Sequence, residues 1–217
     1  MLKPLLHTLS IWIVVIPFLI GIMNLRGLNR DSRWIFLLVI IALVPQLMTA
    51  LVENDGPLFD ITYNLYTPIE FILLYMVFGT KYNSSASKTL FRLTAIVYFF
   101  ICAYFFLHYG IRQKFLSGLV CANNVIYMIW ILMFLKQEYA TDSFLIKKEN
   151  PFTWFLIAFI FYAPCTVATF ALYHYIREPS NIMLRNLSII QDIFNIFLYL
   201  LFSAGLLIRT HDKKFVS

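Results

Sequence analysis

The sequence WIFLLVIIALVPQLMTALV, residues 34–52, decides the fold because it runs for nineteen positions without a charged side chain. An α-helix rises about 1.5 Å per residue, so a helix of this length nearly crosses the hydrocarbon core of a bilayer, which is roughly 30 Å thick. Lipid offers no hydrogen bonds to the backbone, and a helix satisfies its own N–H and C=O groups. The stretch therefore predicts a membrane-spanning helix.

Six further segments have the same apolar character, and short polar loops separate them. The predicted spans, one to seven, are 5–24, 34–52, 61–80, 93–109, 117–135, 152–175 and 187–208. Span one lacks a small-x-small cleavage site and is followed by basic residues, so we expect a retained helix rather than a signal peptide. The sequence predicts an all-α polytopic transmembrane bundle that forms a single domain over residues 1–217.

The composition agrees with lipid as the main solvent. The chain is 61% hydrophobic and only 13% charged, whereas a soluble domain carries roughly 25% charged residues. The net charge of +6 comes from basic residues at span ends, where lipid headgroups explain them, so we expect no nucleic-acid partner. The three cysteines, Cys102, Cys121 and Cys165, lie in apolar runs and are expected to be buried and free.

The distribution of basic residues predicts the orientation. The first, third and fifth loops and the C-terminal tail hold twelve of the seventeen Lys and Arg residues. Cytoplasmic loops carry such an excess, so we expect the N-terminus outside and the C-terminus in the cytoplasm. The abundance of Phe and Tyr fits an AT-rich bacterial genome, and we expect an integral protein of the bacterial cytoplasmic (inner) membrane.

Local sequence signals predict two helix starts. Asn150-Pro151 has the pattern of an N-cap followed by proline at the first helical position, which would open span six. The turn signal Gly56-Pro57 precedes Asp60, which is therefore expected to cap span three.

Two carboxylates lie inside predicted spans, Glu70 in span three and Asp192 in span seven. Ionisable groups are costly in lipid, so they face the bundle interior or water and are functional candidates by default. No Lys or Arg lies at similar depth, so Glu70 should be neutral or satisfied by Asn, Tyr or water. Both carboxylates are candidate ligand-binding residues.

Other candidates share helical faces with these two carboxylates. Asn195 and Tyr199 follow the aspartate at intervals of three and four residues, and Tyr63 and Tyr66 precede the glutamate by seven and four. Residues at these intervals lie on one side of a helix. The tyrosines are expected to line the walls of a site whose polar anchors are the two carboxylates and Asn195.

Further polar groups lie at similar depth on other spans. Pro68 has no amide hydrogen, so it should kink span three and free the carbonyl of Asn64. The remaining candidate ligand-binding residues are Gln46 in span two, Asn123 and Asn124 in span five, and His174 in span six. Nearly all candidates fall in the outer half of the bundle, whereas the cytoplasmic half is apolar and aromatic. This asymmetry predicts a polar cavity that is open to the outside and closed below by aromatic packing.

Two functions fit these patterns. The first is a transporter or receptor-like sensor that handles a small polar ligand in the cavity. The alternative is a structural or accessory subunit of a larger membrane complex, or of a homo-oligomer. Its polar groups would join helices through hydrogen bonds worth about 0.6 kcal/mol each. The sequence has no His-Glu-x-x-His, Gly-x-Ser-x-Gly or phosphate-loop motif, so we expect no enzyme, catalytic residue, metal or cofactor.

The size, the topology and the Pro45-Gln46 pair resemble the PQ-loop group, which includes the SWEET sugar transporters and the KDEL receptor. The resemblance implies two parallel three-helix repeats joined by a linker helix, and spans one to three and five to seven share an orientation. Span six departs from the pattern, because it carries Pro164-Cys165 where the group has a second proline-glutamine pair. The chain also resembles small polytopic bacterial membrane proteins with a Tyr-x-x-x-Glu pattern, here Tyr66 and Glu70, which implies no activity.

Overall fold

The computed structural model of the protein describes residues 2–51, 57–112, 115–140, 149–173 and 182–208. These residues form eight α-helices and contain no strand: α1 (Leu2–Trp12), α2 (Val15–Met23), α3 (Arg30–Leu51), α4 (Pro57–Phe78), α5 (Ser85–Tyr109), α6 (Ser117–Ala140), α7 (Pro151–Tyr173) and α8 (Ile182–Leu207). α1 and α2 together make span one, and α3 to α8 are spans two to seven. All seven are long and apolar enough to cross a membrane. The all-α, seven-span prediction is confirmed, and the chain is an integral membrane protein; the orientation remains a prediction from charge.

Span one is broken in its middle, a feature that its apolar pattern did not predict. α1 ends at Trp12, and α2 begins at Val15. Pro17 has no N–H to donate to the carbonyl of Ile13, four residues earlier. That carbonyl instead accepts a hydrogen bond from Ile16 N at 3.1 Å, a tighter bond of the 3₁₀ type. The proline thus explains why the chain turns at this point.

One of the two predicted helix starts is confirmed and the other is wrong. α7 begins at Pro151, and Asn150 Oδ1 accepts a hydrogen bond from Phe152 N at 3.1 Å, so asparagine is the cap. Asp60, in contrast, does not cap α4. That helix begins at Pro57, where proline suits the first helical position, so Asp60 lies within the first turn. A carboxylate there still interacts favourably with the positive end of the helix dipole.

Several helices extend beyond the predicted apolar spans into charged sequence. α3 begins at Arg30, where Asn29 Oδ1 accepts a hydrogen bond from Ser32 N at 2.8 Å. α5 begins at Ser85, where Ser84 Oγ accepts from Ser87 N at 3.0 Å. The charged residues that mark the edge of the membrane are therefore part of the helices.

The helices pack so that α8 contacts both segments of span one on one side and α7 on the other. α3 pairs with α4, α6 pairs with α7, and α4 also contacts α6. α2 also contacts α3, and glycines allow two close approaches between helices. A Cβ at Gly21 of α2 would lie 2.1 Å from the Phe36 ring of α3, and a Cβ at Gly205 of α8 would lie 2.4 Å from the Phe155 ring of α7. Small residues of this kind let transmembrane helices come close.

Aromatic side chains fill the half of the bundle that lies opposite the N-terminus. Phe71 stacks on Tyr98 with ring centroids 3.8 Å apart, and Phe91 lies 4.6 Å from Trp130. All four side chains are buried. The predicted aromatic closure of this half is therefore present, and aromatic pairs add stability beyond the area that they bury.

An ion pair lies at the end of this aromatic half. Lys81, just after α4, pairs with Asp31 in the first turn of α3. The lysine ammonium also lies 4.4 Å from the centroid of the Phe152 ring, at the start of α7. These contacts connect three helices at the end where the sequence predicts the cytoplasm.

Candidate ligand-binding cavity

A cavity of about 180 Å³ lies among the helices. A single water needs a volume of only about 10–15 Å³ on a comparable measure, so the cavity has room for a small molecule. Every span except span four contributes to its lining. The lining residues are His7, Ser10, Ile11, Gln46, Thr49, Tyr63, Tyr66, Thr67, Glu70, Phe115, Val120, Asn124, Tyr162, Phe170, Gln191, Asp192 and Asn195.

The cavity occupies one half of the bundle, the half that contains the N-terminus. Its residues come from α1, which is the first half of span one, from the first two thirds of α4, from the first parts of α6 and α8, and from the later parts of α3 and α7. Neighbouring spans run in opposite directions, so these segments lie at the same side of the membrane. At about 1.5 Å per residue, Glu70 lies roughly 20 Å from the start of α4 and forms the deep end of the cavity. Asp192 lies roughly 9 Å from the start of span seven, at Asn186.

Glu70 is held by two neutral donors from two helices. The Tyr66 hydroxyl, one turn earlier on α4, donates to Glu70 Oε1 at 3.3 Å. The Asn123 amide on α6 donates to Glu70 Oε2 at 3.1 Å. Tyrosine and asparagine are the partner types that the sequence led us to expect. A carboxylate accepts about four hydrogen bonds, so these two leave capacity for a ligand or water.

Further tyrosines surround this carboxylate. Tyr162 on α7 lines the cavity and lies within electrostatic range of Glu70, as do Tyr127 and Tyr199. Tyr127 and Tyr199 are buried behind the lining, where the Gln46 side chain lies beside the Tyr199 hydroxyl. The deep end of the cavity is thus a carboxylate enclosed by phenol rings.

The shallow end of the cavity joins span seven to span one. Asp192 Oδ1 lies 3.3 Å from His7 Nδ1, and 11% of the aspartate side chain is exposed against 47% of the histidine side chain. Asn195 Nδ2 donates to both the carbonyl and the hydroxyl oxygen of Ser10, each at 3.0 Å. These bonds reach α1 just before the break in span one, so α8 anchors the helix where it is interrupted.

Polar contacts also tie the walls together. The Thr49 and Tyr63 hydroxyls lie 2.8 Å apart between α3 and α4. Gln191 Nε2 donates to Thr166 Oγ1 at 3.2 Å between α8 and α7. The wall residues are therefore held in place by neighbouring helices before any ligand arrives.

The structure brings seven of the eleven candidate residues to this cavity: Gln46, Tyr63, Tyr66, Glu70, Asn124, Asp192 and Asn195. Asn123 and Tyr199 lie behind the lining, the first as a hydrogen-bond partner of Glu70. His174 lies outside the described residues.

Asn64 was predicted to bind the ligand, but the structure places it elsewhere. Its side chain is 1% exposed, is absent from the cavity lining, and bonds to the loop between α5 and α6. Its Nδ2 donates to the Ile111 carbonyl at 2.9 Å, and its Oδ1 accepts from Leu116 N at 2.9 Å. The prediction considered only the backbone carbonyl that Pro68 would free, whereas the structure assigns the side chain to loop anchoring.

Sequence reasoning missed His7, Ser10 and Tyr162, which all line the cavity. His7 and Ser10 are three residues apart, an interval that places them on one helical face of span one. Tyr162 precedes Thr166 by four residues on α7, so the same test would have identified it. Helical spacing on spans one and six therefore carried a signal for these residues.

Comparison with known protein families, curated proteins and solved structures gives no match to this chain. The functional argument therefore rests on the cavity itself. Among the described lining residues there are two carboxylates, one histidine and no Lys or Arg.

Proposed function

We propose that the protein binds a small polar ligand in this cavity, as a transporter or a receptor-like sensor that faces the outside of the bacterial cytoplasmic membrane. The observation that carries the proposal is that Glu70 of α4 and Asp192 of α8 line the same cavity. Carboxylates at membrane depth cost free energy, so a chain that retains two of them around a space is expected to use them.

The contrast between two kinds of polar residue supports this proposal. Asn64 places both ends of its amide on protein backbone, outside the cavity lining. Glu70 and Asp192 instead border the cavity and keep acceptor capacity towards it. Pockets that bind small molecules have this composition, with mostly apolar and aromatic walls and a few convergent polar groups.

The two halves of the helix bundle differ in a way that fits a conformation open on one side of the membrane. The cavity lies in the N-terminal half, and the aromatic cluster and the Lys81–Asp31 pair close the other half. Transport would require this closed half to open, and the break in span one supplies the kind of interrupted helix that transporters use. The Pro45-Gln46 pair, which carries the resemblance to PQ-loop proteins, contributes Gln46 to the cavity.

Thermal unfolding of the purified protein against a panel of small polar metabolites tests the proposal. A ligand that binds the folded state raises the free energy of unfolding, by about 2.7 kcal/mol at a concentration of 100 Kd, and the melting temperature rises with it. We expect this rise for at least one metabolite and its loss in Glu70→Gln. Tyr82→Phe is the matched control, because Tyr82 is buried in the aromatic half, where its hydroxyl donates to the Trp130 carbonyl, and it does not line the cavity.

The accessory-subunit alternative gives a different result. No metabolite would stabilise the isolated protein, and the chain would co-purify with fixed partners whatever residue stands at position 70. If a ligand is found, uptake into proteoliposomes separates a transporter from a sensor, because only a transporter accumulates the ligand inside.

A further inference from the structure

We propose that the ligand is a small organic cation whose ammonium group binds against Glu70 at the deep end of the cavity. This inference rests on the proposed function and adds the chemical class of the ligand. It follows from the charge of the lining, from the partners of the two carboxylates and from the aromatic walls.

The charge of the lining favours a cation over an anion. The described lining residues include Glu70 and Asp192 and neither Lys nor Arg. Charge interactions inside a helix bundle are stronger than at a protein surface, because the surrounding medium has a lower effective dielectric constant. An anionic ligand would meet these two carboxylates and neither Lys nor Arg among the described lining residues, whereas an ammonium ion would complete an ion pair.

The two carboxylates differ in their partners, and this difference selects Glu70. Asp192 faces the imidazole of His7, which supplies a positive charge when it is protonated. Among the described residues, Glu70 accepts from a phenol and an amide, both of them neutral. A buried carboxylate without a cation is expensive, and a ligand that brings the missing charge recovers that cost.

The walls suit an organic cation better than a metal ion. The rings of Tyr63, Phe115 and Phe170 form a continuous aromatic wall, with centroids 5.9 Å and 5.3 Å apart. Tyr66 and Tyr162 add phenol rings near Glu70. Aromatic faces attract ammonium groups, as in the cages that bind quaternary ammonium ligands. No three metal-binding side chains come together in the part of the chain that the structure describes.

Pairs of isosteric probes test the inference on the wild-type protein. The cations are choline and tert-butylammonium, and their uncharged counterparts are 3,3-dimethylbutan-1-ol and tert-butanol. We expect each cation to raise the melting temperature, by about 5 °C or more at 100 Kd, and its counterpart to have no comparable effect. The comparison needs no variant, so it stands even where a variant fails to fold.

Variants at position 70 then locate the binding group. We expect Glu70→Gln to weaken binding of the cations at least about tenfold, because the ion pair is lost, and Glu70→Asp to retain part of the affinity. Tyr82→Phe should leave affinity unchanged.

Three outcomes would overturn the cation assignment. These are equal stabilisation by the uncharged probes, failure of both ammonium ions to stabilise the protein, whether or not sodium chloride does so, and undiminished cation binding by Glu70→Gln. The proposed function is tested separately from the cation assignment. It depends on whether the metabolite panel contains a ligand, of any charge, that stabilises the protein.

Discussion

Asn123 on α6 donates its side-chain amide to Glu70 Oε2 on α4 at 3.1 Å, so a fully buried amide fixes the carboxylate that forms the deep end of the cavity. The asparagine itself does not line the cavity. Its contribution to binding therefore acts through the position of Glu70, and this can be measured.

The Asn123–Glu70 bond should appear as a coupling in a double-mutant cycle. Asn123→Leu removes one of the two donors to Glu70, and Glu70→Leu leaves the buried Asn123 amide without this acceptor; each change should cost about 1–3 kcal/mol. The double variant removes both groups, so its loss of stability should be smaller than the sum of the two single losses, by about 0.6 kcal/mol or more. Unfolding of the four proteins in bicelles provides the measurement, and strictly additive losses would contradict the contact.

Asn64 should hold the loop between α5 and α6 in place through its two hydrogen bonds. We expect Asn64→Leu to free the Ile111 carbonyl and the Leu116 amide and to destabilise the protein by about 1–3 kcal/mol. Hydrogen exchange at Leu116 should become faster, since its N–H loses its acceptor. Asn64→Asp is the matched control: it keeps the oxygen that accepts from Leu116 and loses only the donor to Ile111, so exchange at Leu116 should stay slow. Fast exchange in both variants would contradict this assignment.

The close contact of α2 with α3 should limit the size of the side chain at position 21. Gly21→Ala places a methyl group 2.1 Å from the Phe36 ring, so we expect a destabilisation of about 1–3 kcal/mol. Phe36→Leu shortens the opposing side chain, and the double variant should recover part of the loss. Equal stability of wild type and Gly21→Ala, measured by thermal unfolding in detergent, would show that the two helices do not approach at this point.

The seven-span fold could be predicted from the sequence because lipid imposes one simple requirement, about twenty apolar residues per crossing. The ends of the helices could not be predicted from that rule. Charge marks the edge of the hydrocarbon, while the helix itself continues to a capping residue such as Asn29 or Ser84. The break in span one follows from Pro17, which the sequence showed, but a proline can kink a helix or interrupt it, and packing decides between these outcomes.

The site could be predicted in part for a similar reason. A carboxylate inside a span costs free energy in lipid, so Glu70 and Asp192 could be recognised as candidates from the sequence. Their neighbours on the same helical faces followed from the spacing of the residues. Residues such as Asn64 and Asn123 carry the same amide, and sequence alone does not show whether that amide faces a space or a neighbouring helix. His7 was missed because its partner, Asp192, lies 185 residues away in the chain.

The orientation is tested by thiol labelling. In a background without Cys102, Cys121 and Cys165, we expect His7→Cys at the cavity mouth to react with a membrane-impermeant maleimide added to intact spheroplasts. Ser84→Cys, exposed at the other end of the bundle, should react only after permeabilisation. The reverse pattern would place the cavity on the cytoplasmic side and contradict the prediction from basic residues.

The central claim is that Glu70 and Asp192 border a space that holds a small ligand. An experimental density map of the protein in lipid nanodiscs, with a rigid antibody fragment bound to aid alignment, tests it most directly. The prediction is non-protein density against Glu70, between the rings of Tyr66 and Tyr162. A dry interior in which these rings fill the space and Glu70 meets only protein would contradict the claim, although the seven-span fold would stand.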